Sequence, residues 1–123
     1  MPTKEVGKLQ GLSSKYHNVR CEVNGIKLDS KAEAVRYQEL VLMLKAGVIS
    51  ELRVHPRYVL LYGFITAWGR RYRDVVYVAD FEYVEGGRTI VEDVKGMVLP
   101  MFRLKAALLE WQRPDVELRI IKV

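Results

Sequence analysis

Apolar and polar residues alternate on either side of Asn24-Gly25, in Arg20-Cys21-Glu22-Val23 and Ile26-Lys27-Leu28-Asp29. Asn-Gly supplies the two positive-φ positions of a type I′ turn, so this stretch predicts a β-hairpin. At Ser30 the period changes from two to 3.6. A helix is predicted from there to about Ala46, stopped by Gly47, with Ala34, Tyr37, Val41 and Leu44 on one face and Leu40 also in the core. Residues 49–62 then read as a strand, in which Pro56 implies an edge position or a bulge. Residues 63–69 read as a turn or loop. Residues 71–84, rich in Val, Tyr and Phe, predict a long strand, Glu85 to Arg88 a tight turn, and Thr89 to Lys95 a third strand. A second helix is expected over about 98–111, with Leu104, Leu108 and Trp111 on one face and Phe102 in the core. Pro114 ends it, and 116–123 is the last strand.

Helix, three strands, helix, strand is thus the order after the hairpin. Strands joined by short turns form an antiparallel meander, and a strand that follows a helix returns parallel to its neighbour. The expected fold class is α/β, with helices covering a mixed sheet. Residues 1–15 mix Gly, Ser and Lys without periodicity and are expected to be a flexible N-terminal arm, leaving 16–123 as a single domain.

Composition narrows the class. Half of the 123 residues are hydrophobic, enough for one ordinary core without a structural metal. One cysteine, Cys21, permits neither an internal disulfide nor a zinc cluster. With no signal peptide and no apolar run of membrane-spanning length, a cytoplasmic protein without membrane contact is expected. Twenty Lys and Arg against 15 Asp and Glu give a net charge of +5, which suits a polyanionic partner as well as a merely basic surface.

Two segments carry the candidate chemistry, Tyr77-Val78-Ala79-Asp80-Phe81 and Val91-Glu92-Asp93-Val94-Lys95-Gly96. Alternation along a strand sends Asp93 and Lys95 to one face and Glu92 to the other, toward solvent or in support of the site from behind. The Gly86-Gly87 turn folds the two strands together and can bring Asp80 beside Asp93 and Lys95. Two carboxylates are what Mg²⁺ takes from a protein when phosphate and water complete its shell, and Mn²⁺ is expected to substitute. A lysine at that place can orient the attacking water or stabilise developing charge. A cross-strand salt bridge between Asp80 and Lys95 would use the same residues structurally.

An acid on the second strand of a meander followed by Asp-x-Lys on the third resembles the PD-(D/E)xK nuclease superfamily, whose core has the same element order. Asp80 lacks the proline that nominally precedes the family's acid, and a bulge would make Glu92 rather than Asp93 the ligand. The resemblance implies a restriction-endonuclease-like fold. It also implies a metal-binding glutamate on the first helix, matched by Glu33, although Ser30 and Glu33 equally form a capping box. Glu33, Asp80, Asp93 and Lys95 are then the catalytic set, the three acids being the metal ligands. Together with the segment Lys15 to Asn18, the chain is similar to small phage proteins of the Holliday-junction-resolvase and endonuclease I type. That likeness implies a homodimer that nicks branched DNA, chiefly four-way junctions, in the host cytoplasm. A less selective phage endonuclease or nickase, or a non-catalytic DNA-binding recombination accessory protein, are the alternatives. Lys15, His17, Arg70, Arg71, Arg73 and Lys105 are candidate DNA contacts, the arginines interleaved with Trp68 and Tyr72.

Overall fold

The computed structural model describes residues 21–123, so the expected arm and the candidates Lys15 and His17 lie outside the described residues. The chain divides into two compact units, up to Glu39 and from Leu40 onward. In the first, β1 (Cys21–Val23) pairs antiparallel with β2 (Ile26–Leu28). Asn24 and Gly25 sit at φ 52° and 79°, as a type I′ turn requires. Ser30 caps α1 (Lys31–Lys45): its Oγ accepts the Glu33 backbone N–H at 3.1 Å. At the other end Gly47 adopts φ 77°, and Val48 N donates to Met43 O at 2.9 Å, the 6→1 bond of a Schellman cap. The buried positions of α1 are Glu33, Ala34, Tyr37 and Leu40. The expected stripe therefore ends a turn early: Val41 is half-buried and Leu44 exposed.

The second unit holds β3 (Ser50–Val54), β4 (Arg57–Leu61), β5 (Phe64–Ile65), β6 (Arg71–Tyr72), β7 (Val75–Val78), β8 (Phe81–Glu85), β9 (Arg88–Lys95), α2 (Pro100–Gln112) and β10 (Val116–Lys122). Its main sheet has the order β10-β9-β8-β3. β3, β8 and β9 form an antiparallel meander, closed between β8 and β9 by Gly86 and Gly87 at φ 59° and 78°. β10 returns through α2 and lies parallel to β9, Val116 opposite Thr89 and Lys122 opposite Lys95.

Two long strands expected from the sequence are each broken. Pro56, which has no N–H to donate, ends β3, and His55 before it takes φ 53°. Directly across, Ala79 and Asp80 leave the strand conformation. The facing breaks are stitched by His55 N donating to Asp80 O at 2.9 Å and Ala79 N to Pro56 O at 3.1 Å. On one side of this kink the pair belongs to the main sheet. On the other, β4 and β7 form their own antiparallel ribbon. The stretch read as a loop at 63–69 instead contributes β5 to a further hairpin with β6.

α2 packs on β4, β7 and β10. Tyr58, Leu60, Tyr77, Ala79, Val91, Leu109 and Val116 form the core beneath it, with Phe102 and Leu108 against them. Each large aliphatic or aromatic side chain among them contributes about 1.5–3 kcal/mol by leaving water. The expected face of α2 is corrected here: Leu104 is 55% and Trp111 82% exposed. The helix carries two overlapping apolar rows, and the one that faces inward is Phe102, Ala106 and Leu109, where small Ala106 permits close approach. On the opposite face of the sheet Phe81, Tyr83, Ile90 and Glu92 are wholly buried. No helix among the described residues is long and apolar enough to cross a membrane.

Candidate active site

The kink builds the site. Asp80 continues the ladder with its backbone, its N–H donating to Glu92 O at 3.1 Å. One residue pair further on, β7 has veered away to β4, so the Val94 N–H has no strand carbonyl opposite. The Asp80 carboxylate takes that place, Oδ2 accepting from Val94 N at 2.6 Å. This charge-assisted bond to backbone anchors the acid at the edge of β9.

Asp93 follows on β9, 2% exposed, with Oδ2 accepting from the Tyr77 hydroxyl and Oδ1 at 3.4 Å from Lys95 Nζ. The Asp80 carboxyl lies beside it within hydrogen-bonding reach. Burial pushes the Asp93 carboxyl up to about 6; the Tyr77 hydrogen bond opposes this, the Asp80 charge adds to it, and the Lys95 ammonium opposes it again. The Tyr77 phenol is driven well above its ordinary range, first by burial and then by the two adjacent carboxylates, and so stays a donor. Lys95 keeps part of its side chain in solvent and rests its ammonium 4.7 Å from the centre of the Phe102 ring. Asp80, Asp93 and Lys95 therefore converge, as their spacing predicts.

β9 pairs with β10 without a shift from Thr89 to Lys95, and with β8 without a shift from Arg88 to Glu92, so no bulge brings Glu92 to this face. Glu92 does face the other way. It is not toward solvent, however: it is fully buried and accepts a hydrogen bond from the Tyr83 hydroxyl. A buried carboxylate needs such a donor, because leaving one unpaired costs more than the hydrogen bond itself contributes. Glu33 is also buried, at the N3 position of α1, in the unit that ends at Glu39, whereas Asp80, Asp93 and Lys95 belong to the unit that begins at Leu40.

Lys105 turns inward from α2, its Nζ donating to Val76 O at 2.8 Å on the outer edge of β7. That carbonyl belongs to the residue before Tyr77, so Lys105 ties α2 to the strand that holds Asp93 in place. Arg70, Arg71 and Arg73 stand on the β5–β6 hairpin and the segment leaving it, all exposed. Two residues of the site escape a reading of the sequence alone. Tyr77 looks like one more apolar strand residue, although a buried tyrosine hydroxyl always seeks a partner. Phe102 becomes the floor under Lys95 only once α2 is laid across the ribbon.

Chemically, two neighbouring carboxyls, one of them buried and resistant to ionisation, with the Lys95 ammonium alongside, make a place where a hard cation relieves like-charge repulsion. The donor set is all oxygen, as Mg²⁺ or Mn²⁺ requires, with no soft ligand in it. No curated protein and no solved structure matches the chain. A family model does, over residues 13–123, and the chain thus belongs to the protein family of unknown function DUF1064.

Proposed function

We propose that this chain is a metal-dependent endodeoxyribonuclease of the restriction-endonuclease-like fold that acts on branched DNA, chiefly four-way junctions. The observation that carries the reading is the Asp80 carboxyl beside Asp93, with Lys95 Nζ 3.4 Å from Asp93, where Asp93 and Lys95 stand on the last strand of an antiparallel meander that a parallel strand extends. Asp80 and Asp93 would hold Mg²⁺, or Mn²⁺ in its place. The bound cation supplies charge stabilisation for a phosphodiester and a more acidic water. Tyr77 keeps the Asp93 carboxylate turned to the site and blocks its alternative rotamers. Lys95, with one side on Phe102 and the other on Asp93, orients the nucleophilic water or meets the charge that develops on the phosphoryl oxygens. Arg70, Arg71, Arg73 and Lys105, with Lys15 and His17, are assigned to the DNA backbone, in keeping with the net charge of +5.

Resolution of a four-way junction calls for two cuts, and the active form proposed is a homodimer acting in the host cytoplasm. The outward row of α2 supports a second copy as partner: Met101, Leu104 and Trp111 are exposed at helical spacing.

The test is cleavage of a labelled four-way junction beside a matched linear duplex, with Mg²⁺, for the native chain and for Asp80→Asn and Lys95→Ala. Paired nicks in the junction, lost in both variants, are expected. Cutting of both DNAs alike discards junction selectivity and leaves a general endonuclease. Binding without any Mg²⁺-dependent cutting overturns the enzyme and leaves an accessory DNA-binding protein.

A further inference from the structure

The β5–β6 hairpin is a built projection rather than a slack loop. Thr66 N donates to Arg70 O at 2.8 Å, Gly69 N to Thr66 O at 3.0 Å, and Arg70 N to Thr66 Oγ1 at 2.9 Å. With Gly69 at φ 87°, this is the three-residue hairpin turn that ends in a left-handed residue. At the base, Gly63 N donates to Asp74 Oδ1 at 2.7 Å, and a Cβ on Gly63 would lie 2.6 Å from Tyr72 O. Phe64 and Tyr72 stack across the pair, centroids 5.1 Å apart. Everything about the hairpin is therefore held, yet the indole at its tip is not covered: Trp68 is 96% exposed. Holding a Trp in water on a rigid turn leaves its apolar surface available to a partner.

Charge identifies that partner. Among the described residues Arg70, Arg71 and Arg73 form no ion pair, and the one acid of the segment, Asp74, is engaged by Gly63. An open groove of about 540 Å³ runs beside the hairpin, lined by Phe64 and Tyr72, by Arg71 and Arg73, and by Asp74. Stacking faces interleaved with unpaired cations match a nucleic acid whose bases are accessible. A closed duplex offers phosphates to the arginines but no base face to the indole. A second copy of this chain would bring like charges together at the same place.

We infer that the β5–β6 hairpin is a base-stacking arm, in which Trp68 and the Phe64–Tyr72 pair receive unpaired bases at a DNA branch while Arg70, Arg71 and Arg73 hold the adjoining phosphates. The inference rests on the nuclease reading and names the feature of branched DNA that this chain recognises. The distances suit it. Eight residues separate Tyr72 from Asp80, at most about 26 Å at ~3.3 Å per residue, which is less than one turn of duplex, about 34 Å. A base stacked on Tyr72 thus leaves the acidic site over backbone within one turn of it.

The experiment is fluorescence anisotropy of two labelled DNAs, a duplex with an unpaired branch and the same duplex fully paired, in EDTA so that no cutting occurs. Native chain, Trp68→Ala, Trp68→Phe and the triple variant Arg70→Ala/Arg71→Ala/Arg73→Ala are compared, with sedimentation of each protein alone. Trp68→Ala is expected to weaken binding of the branched DNA about tenfold and leave the paired duplex unchanged. Trp68→Phe restores most of the loss, and the triple variant weakens both DNAs and flattens the salt dependence. Equal binding of the two DNAs by Trp68→Ala and native chain overturns the arm even where Mg²⁺-dependent cleavage persists. Selective loss with no cleavage activity keeps the arm and removes the nuclease. Loss of self-association in Trp68→Ala, without an effect on DNA, assigns the tip to a contact between copies and also overturns it.

Discussion

The β4–β7 ribbon has unlike ends. At one, next to the kink, Asp93 is buried and Asp80 half-buried, each carboxyl is met by a particular donor, and the residues that meet come from positions as far apart as Tyr77 and Asp93. At the other, the hairpin is exposed, cationic and aromatic, and its bonds join residues at most eleven apart in sequence. The first end stores electrostatic stress, since Asp93 ionises against burial and a like-charged neighbour. The second end stores none, but leaves apolar area in water. The proposed cation site and the proposed base-stacking arm differ in this way, and one two-stranded ribbon joins them.

The contrast is broken most directly by activity. Lys95→Ala is expected to lower kcat for cleavage by roughly 10²–10³, the usual cost of losing one positioned charge at developing anionic oxygens. Arg73→Ala is expected to raise KM with kcat nearly unchanged, because a phosphate contact on the arm acts equally in ground and transition state. Steady-state kinetics with branched DNA checks both; equal effects on kcat would merge the two ends into one site.

Stability against pH sharpens it next. A carboxyl near 6 in the fold and near 3.8 in the unfolded chain binds its proton more tightly when folded, so stability falls as pH rises from about 4 to about 6 and then levels. The whole change is about 3 kcal/mol. Asp93→Asn keeps an acceptor for Tyr77 and removes the titration. Urea midpoints between pH 4 and 8 should decline for the native chain and stay flat for the variant, with Mg²⁺ recovering the loss only in the native chain. Parallel curves would show that Asp93 ionises without cost.

Smaller effects belong to the arm. Gly63→Ala places a methyl against the Tyr72 carbonyl and is expected to cost about 1–3 kcal/mol, the ordinary penalty of forcing atoms into occupied space. Trp68→Ala is expected to move the unfolding midpoint by less than about 0.5 kcal/mol, as an exposed tip position should. Thermal melts of the two variants give both numbers, and a large loss in Trp68→Ala would mean that the indole is packed rather than offered.

Much of this was legible along the chain. Asn24-Gly25 and Gly86-Gly87 mark their turns because positive φ is a local requirement, and Ser30 and Gly47 bound α1 because helix ends are satisfied within a few residues. Strand alternation placed Asp93 and Lys95 together and Glu92 opposite. Where the reading failed, the deciding partner was remote. Alternation gave the direction of Glu92 but not that its face is buried, which depends on what lies over the sheet. The periodicity of α2 offered two apolar rows, and the choice of Phe102, Ala106 and Leu109 over Leu104 and Trp111 was made by the ribbon beneath. The 63–69 stretch carries turn residues, and its strand β5 is two residues long, too short for a period to register.

By itself, then, the sequence determined the two helices and the strand that follows each, the Asn24-Gly25 and Gly86-Gly87 turns, the caps of α1 and the presence of an acid–acid–lysine set in neighbouring segments, because each depends on backbone preferences and side-chain direction over a few residues. Only the tertiary structure decided that Pro56 and Ala79–Asp80 break opposite each other, that β7 leaves the main sheet, and that the Asp80 carboxylate fills the vacated bond to Val94 beside Asp93. Those are long-range matters: the free energy of a buried charge is set by whatever other parts of the chain bring to it, and no local pattern carries that information.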